Sequence, residues 1–260
     1  MDTPHFTAGE PAVEITRVAQ RVWHALDDDR VIGRGEASPR PDGRTFLSID
    51  AWHRSVFDRL AGAMRTDLPK PLYTVVDEVD RELVTGWERA GFRTRRREWE
   101  YLVPTGPASA LPPPGVTIVP AGTAGERPLR ELDRVIRAEV EAAVGWHEMP
   151  AEVLPHPAGD TIVDPAKYAV AAEDGRYVGL VRVVRVTRLP RIGLIAVRAD
   201  RQRRGVARAL LAHALEVLHD AGIPTASGEV HEANEAATAL FEGAGARRTS
   251  SNLELVLHGE

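Results

Sequence analysis

Val197-Arg198-Ala199-Asp200-Arg201-Gln202-Arg203-Arg204-Gly205-Val206-Ala207-Arg208 joins an apolar strand, through a charged turn, to the start of a helix. The run Ile192 to Val197 reads as a buried strand. Ala207 to Leu218 carries leucines at helical spacing, and Gly222 is a natural stop. At the start of such a helix the first backbone N–H groups lack partners and the dipole is positive, so an anion is stabilised there. Gly205 lets the backbone approach that anion closely, and Arg201, Arg203, Arg204 and Arg208 add positive charge. The turn has neither the Gly-Lys-Ser/Thr ending of a nucleotide P-loop nor the three glycines of a dinucleotide fingerprint. Taken alone, it also reads as a solvated, arginine-rich strand-to-helix turn.

The spacing Gln-x-x-Gly-x-Ala, Gln202 to Ala207, resembles the acetyl-CoA pyrophosphate loop of the GNAT superfamily of N-acetyltransferases. A second segment, Glu229-Val230-His231-Glu232-Ala233-Asn234-Glu235-Ala236-Ala237-Thr238-Ala239-Leu240-Phe241, follows at the family's distance. It resembles the family's next element: a strand, an Asn that caps a helix, then Ala-x-x-Leu-Tyr. Asn234 is a good N-cap because its side-chain oxygen accepts an N–H of the first turn. Ala237, Leu240 and Phe241 share an apolar face, and Gly243 or Gly245 ends the helix.

The composition, 43% hydrophobic and 27% charged over 260 residues, allows one large core or two small ones. The absence of cysteine excludes disulfides, thiolate metal sites and a cysteine nucleophile. No apolar run has the length of a membrane span, and Met1 to His5 lacks the start of a signal peptide. A cytoplasmic protein without a membrane partner is therefore expected. A net charge of -5 argues against nucleic-acid binding. The oligomeric state stays open between monomer and homodimer.

Prolines and glycines from Pro104 to Gly115 oppose helix and sheet alike and suggest a division into residues 1–104, a linker 105–115, and 116–260. The two sides look related. Arg21 to Leu26 and Arg30 to Gly35 read as a hairpin, as do Tyr168 to Ala172 and Tyr177 to Val181. Thr45 to Ile49 parallels Leu194 to Val197, Gly86 to Phe92 parallels Ala239 to Ala246, and Glu98 to Val103 matches Leu253 to Leu257. This repeat predicts an α/β (α+β) protein of two tandem GNAT folds, each a mixed, mostly antiparallel sheet flanked by helices. Only Asp50-Ala51 separates Ile49 from a predicted helix Trp52 to Met64, so the first copy has no glycine loop. The resemblance implies a degenerate N-terminal copy, as in mycothiol synthase and other tandem relatives.

The resemblance also implies acetyl-CoA as cosubstrate and assigns roles by position. Backbone groups of Ile195, Ala196 and Val197 would pair with the pantetheine arm and the acetyl oxygen. Gln202, Arg203, Arg204, Gly205, Val206, Ala207 and Arg208 would cradle the pyrophosphate, with Asn234 and Phe241 lining the thiol end. Glu229 sits five residues before Asn234, the position of the catalytic glutamate in one branch of the family, and is the candidate general base. His231, next on the same strand face, can replace it. A strand-edge glutamate paired with one of the many arginines is the structural alternative. The family usually has tyrosine at Phe241, where a hydroxyl donates to the departing sulfur; phenylalanine cannot donate.

Arg134 to Val144 reads as an amphipathic helix leading into the segment that covers the acceptor site in the family. There Trp146 offers an apolar wall and Glu148 and Glu152 can hold an amine. His147 and His156 lack metal-ligand spacing, so no metal is expected. Three functions fit: an acetyltransferase acting on a small primary amine, a non-catalytic acyl-CoA sensor, and a protein N-terminal acetyltransferase.

Overall fold

The computed structural model describes residues 13–40, 43–108, 110–143, 163–184 and 189–259. The chain forms two compact units, one of Met1–Arg96 with Leu253–Glu260 and one of Arg97–Asn252.

The first unit contains β1 (Glu14–Ala19), β2 (Val22–Asp27), β3 (Arg30–Pro39), β4 (Thr45–Ala51), α1 (Arg54–Asp67), β5 (Leu72–Asp77) and α2 (Arg81–Arg89). Strands β1 to β5 lie in sequence order, antiparallel except for the parallel pair β4 and β5. The β2–β3 turn places Asp28 and Asp29 at positive φ, which short acidic side chains tolerate. Helix α1 lies against β3 at Gly33 and Gly35, where a Cβ atom would come within 2.7 Å of Val56 and 2.5 Å of Met64. The core closes around Trp87, packed edge-on between Phe57 at 5.1 Å and Phe92 at 4.8 Å. Helix α1 starts two residues later than the sequence suggests, at Arg54, and Trp52 before it is 90% exposed. An apolar residue that finds no core neighbour does not recruit its backbone into the helix.

The second unit holds most of β6 (Arg93–Pro104), then β7 (Val116–Val119), α3 (Glu126–Ala143), β8 (Tyr168–Glu173), β9 (Arg176–Val184), β10 (Arg191–Val197), α4 (Val206–Asp220), β11 (Thr225–His231) and α5 (Glu235–Gly243). The last strand, β12 (Arg247–Leu257), begins in this unit, and its residues from Leu253 onward belong to the first. The sheet order is β6-β11-β10-β9-β8-β7, antiparallel except for β10 and β11.

One face of this sheet packs on Leu210, Leu211, Leu215 and Leu218 of α4 and on Phe241 of α5. On the other, Leu129, Leu132 and Ile136 of α3 meet Tyr168, Val170 and Leu180. Helix α3 begins eight residues before the predicted Arg134, because Pro128 sits in the first turn, where its missing N–H is no loss, and Leu129 starts the buried stripe. The proline-rich stretch after β6 falls within the second unit. Thr105 Oγ1 donates to the Ile223 carbonyl at 2.5 Å, and Ala108 N–H reaches Glu216 at 3.3 Å.

The expected α/β class and mostly antiparallel mixed sheets are present. Each unit has a hairpin, a strand, a helix, a strand parallel to the one before it, and a second helix, in that order. The units differ between the strand and the first helix. Trp52 and His53 are the whole connection in the first unit, whereas Arg198 to Gly205 form a loop in the second.

Candidate active site

The parallel ladder between β10 and β11 consists of Arg191↔Ser227 and Ile192↔Gly228. Beyond it β10 continues to Val197, paired on its other side with β9 through Val197↔Gly179. A register shift between Ile192 and Leu194 turns the strand at Gly193. Among the described residues the edges of Ile195, Ala196 and Val197 that face β11 thus have no ladder partners there, and an extended ligand can pair with them.

The loop after Val197 is held from within. A 3₁₀ turn spans Ala199–Arg201, Gln202 Nε2 donates to the Val197 carbonyl at 3.2 Å, and Arg203 adopts a left-handed φ of 62°. Gly205 caps α4 at φ 88° with no side-chain cap, so the first-turn N–H groups of Val206 and Ala207 are not covered by a capping side chain. Glu139 on α3 accepts from Ala199 N–H at 2.8 Å and ties α3 to the start of the loop.

The loop arginines divide into two sets. Arg201 is bound by Glu173 and, at 3.0 Å, by Asp200, which also meets Arg198 at 3.3 Å. The Glu173 hydrogen bond raises the Arg201 pKa above its ordinary value. Arg203, Arg204 and Arg208 have no carboxylate partner among the described residues. These three arginines flank the start of α4 in the chain and add positive charge that no described carboxylate compensates.

Glu229 is the first residue of β11 beyond the last parallel pair. Arg191 holds it at 3.1 Å, with 31% of the glutamate side chain exposed. Glu100 lies directly opposite on β6 and accepts from the Ser250 hydroxyl. His231 stands opposite Glu98, on the face that Glu229 occupies.

Asn234 caps α5 by accepting from Ala237 N–H at 3.0 Å. Phe241 is 5% exposed, and a Cβ at Gly228 would come within 2.2 Å of its ring. Its ring lies 5.7 Å from Tyr101, whose hydroxyl accepts from Arg248 Nε at 2.7 Å and donates to Glu242 at 3.3 Å. The Tyr101 hydroxyl also holds the Arg248 pKa above its ordinary value.

Glu229, His231, Asn234, Phe241 and the loop Gln202 to Arg208 all lie in the second unit around the opened strand pair. Trp146, His147 and Glu148, with Glu152 and His156, lie outside the described residues. Sequence reasoning did not assign partners to Arg191, Tyr101 or Glu139, because each acts on a residue at least 38 positions away. Among the described residues no group of three or more metal-ligating side chains is present, and no helix is long and apolar enough to cross a membrane.

The parallel strand pair opens just ahead of a helix start that has a glycine cap and no capping side chain. Residues 132–246 match the family described as acetyltransferase (GNAT) family. The chain is 28% identical over 236 residues to the mycothiol acetyltransferase of Acidimicrobium ferrooxidans, covering 84% of this chain and 75% of that protein.

Among solved structures it resembles a GCN5-related N-acetyltransferase from Sphaerobacter thermophilus, with TM-score 0.66 and 18% identity over 94% of this chain and 82% of that one. A tandem GNAT protein from the clavulanic acid biosynthesis pathway gives TM-score 0.66 and 14% identity over 97% and 85%. Residues 132–246 are thus similar to the acetyltransferase (GNAT) family, and the chain shares its fold with these solved structures.

Proposed function

We propose that the second unit, within residues 116–260, transfers acetyl from acetyl-CoA to the primary amine of a small molecule by direct attack in a ternary complex. The observation that carries this reading is the continuity of the opened edge Ile195 to Val197 with a loop whose Arg203, Arg204 and Arg208 have no carboxylate partner among the described residues. The first unit lacks such a loop between β4 and α1 and serves as a degenerate copy.

In this reading the backbone of Ile195, Ala196 and Val197 binds the pantetheine arm, and the loop with the start of α4 binds the pyrophosphate. Glu229 takes the ammonium proton through a water, with His231 beside it as an alternative base. The freed nitrogen lone pair forms the C–N bond while the carbonyl electrons move onto oxygen, where a β10 N–H stabilises them. The electrons on oxygen then re-form the carbonyl as the C–S bond breaks, and the second proton of the attacking nitrogen passes through water to the departing thiolate. Phe241 has no proton to give, and the Tyr101 hydroxyl is engaged by Arg248 and Glu242.

The name of the Acidimicrobium relative makes mycothiol-type amino-sugar conjugates the first acceptors to test. Phe241 favours a second reading, a non-catalytic acyl-CoA sensor. The position of Glu229 alone suggests a third, a protein N-terminal acetyltransferase. Release of free CoA thiol across an amine and peptide panel, with calorimetric acetyl-CoA binding, separates the three. Tight binding without turnover of any amine selects the sensor.

A further inference from the structure

We propose that Glu139 is the positioning residue of the loop Arg198 to Gly205, doing from α3 what a helix N-cap does from the adjacent position; this rests on the acyl-CoA reading above. The 3₁₀ turn Ala199–Arg201 opens the loop, and the N–H of its first residue has no acceptor within the turn. Arg198 stands in the capping position and makes no side-chain cap, because a guanidinium carries donors alone. The Ala199 N–H donates instead to Glu139 Oε2 at 2.8 Å, across 60 residues of chain. The Arg198 N–H donates to the Val178 carbonyl of β9 at 2.9 Å. Two successive amides at the root of the loop are thus fixed, one by the sheet and one by α3.

The period of α3 places Glu139 for this task. Leu129, Leu132 and Ile136 form its buried stripe, and Glu139 follows Ile136 at the spacing that continues the same face. Leu194 and Ala196 of β10 pack against the cluster that this stripe forms with Tyr168, Val170 and Leu180. The strand with the opened edge Ile195 to Val197 and the loop that follows it therefore both rest on one helix, which fixes the angle between them. A ligand that touches edge and loop together depends on that angle. One that touches the edge alone does not.

A carboxylate at the root of an anion-binding loop repels the anion, so what Glu139 contributes is geometry, through a charge-assisted bond that is stronger than a neutral one. The two effects have opposite signs, and two substitutions separate them. Glu139→Gln removes the charge and keeps an oxygen acceptor for the Ala199 N–H. Glu139→Ala removes both.

The test uses the full-length chain, calorimetric titration with CoA and with pantetheine, which has the thiol arm without the pyrophosphate, and backbone hydrogen exchange over Arg198 to Gln202 in the absence of ligand. Glu139→Ala should weaken CoA binding by about tenfold, leave pantetheine affinity within about twofold, and speed exchange at Ala199. Glu139→Gln should retain the slow exchange and bind CoA as tightly as the unaltered chain or more tightly. Unchanged CoA affinity in the alanine variant would overturn the positioning role. Equal losses for CoA and pantetheine would overturn it too, since the whole site would then depend on Glu139. A glutamine variant that matches the alanine one in affinity and exchange would overturn the hydrogen bond as the cause. If the unaltered chain binds no CoA, the acyl-CoA reading falls, while the exchange measurements still decide whether Glu139 holds the loop.

Discussion

Thr74 and Glu229 occupy the same register position in the two units, each one residue beyond the last parallel pair, Phe46↔Tyr73 in one and Ile192↔Gly228 in the other. Thr74 is 2% exposed, and its hydroxyl donates to the Leu47 carbonyl at 2.9 Å, so a side chain bridges the first unit's strands where they would part. Glu229 instead reaches Arg191 near the surface. With the short β4–α1 connection, this bridge explains on physical grounds why the first copy binds no CoA in the proposed reading.

Calorimetry should accordingly find one CoA per chain. Gly205→Val should abolish binding, because φ 88° strains a β-branched residue and its methyl groups block the anion's approach. Asp50→Ala should leave the affinity unaltered. Two molecules bound per chain would contradict the assignment.

The division of the loop arginines predicts opposite effects on affinity. Arg204→Gln or Arg208→Gln removes a charge that no described carboxylate pairs with and should weaken CoA binding by about threefold to tenfold, less so at high salt. Asp200→Asn releases Arg198, while Arg201 keeps Glu173, and should tighten binding. Weaker binding by the asparagine variant would show that Asp200 positions the loop instead of neutralising it.

Loss of the general base sets the third expectation. Glu229→Gln should lower kcat by about 10² to 10⁴ while CoA affinity stays within twofold. A variant with unaltered rate would transfer the role to His231 or to water alone.

Phe241→Tyr tests the missing acid. A hydroxyl that reaches the departing sulfur would contribute about 1 kcal/mol, a several-fold faster turnover. No gain in an active enzyme would mean that water protonates the thiolate without loss, and no turnover in either form would favour the sensor.

Packing at the same point predicts a stability effect independent of catalysis. Gly228→Ala places a methyl 2.2 Å from the Phe241 ring and should destabilise the protein by about 1–3 kcal/mol in urea unfolding. Phe241→Leu in the same chain should recover part of that loss by clearing the ring.

The Gln202 to Arg208 loop, the glycine cap of α4 and the asparagine cap of α5 were legible in the amino-acid sequence because each depends on residues within one or two helical turns. The repeat was legible too, since strand and helix patterns recur in the same order. The start of α3 was missed by eight residues because its buried stripe begins at Leu129, before the run that displays the period most clearly. Tertiary structure alone decided that Arg191 takes Glu229, 38 residues away, and that Arg248 takes the hydroxyl of Tyr101, 147 residues away. It alone set Arg182 between Tyr168 and Leu194, and it assigned the two ends of β12 to different units. Caps and turns are selected by local backbone sterics and hydrogen bonding, which neighbouring residues encode. Cross-strand partners depend on register, and the burial of whole sheet faces against helices far along the chain selects that register.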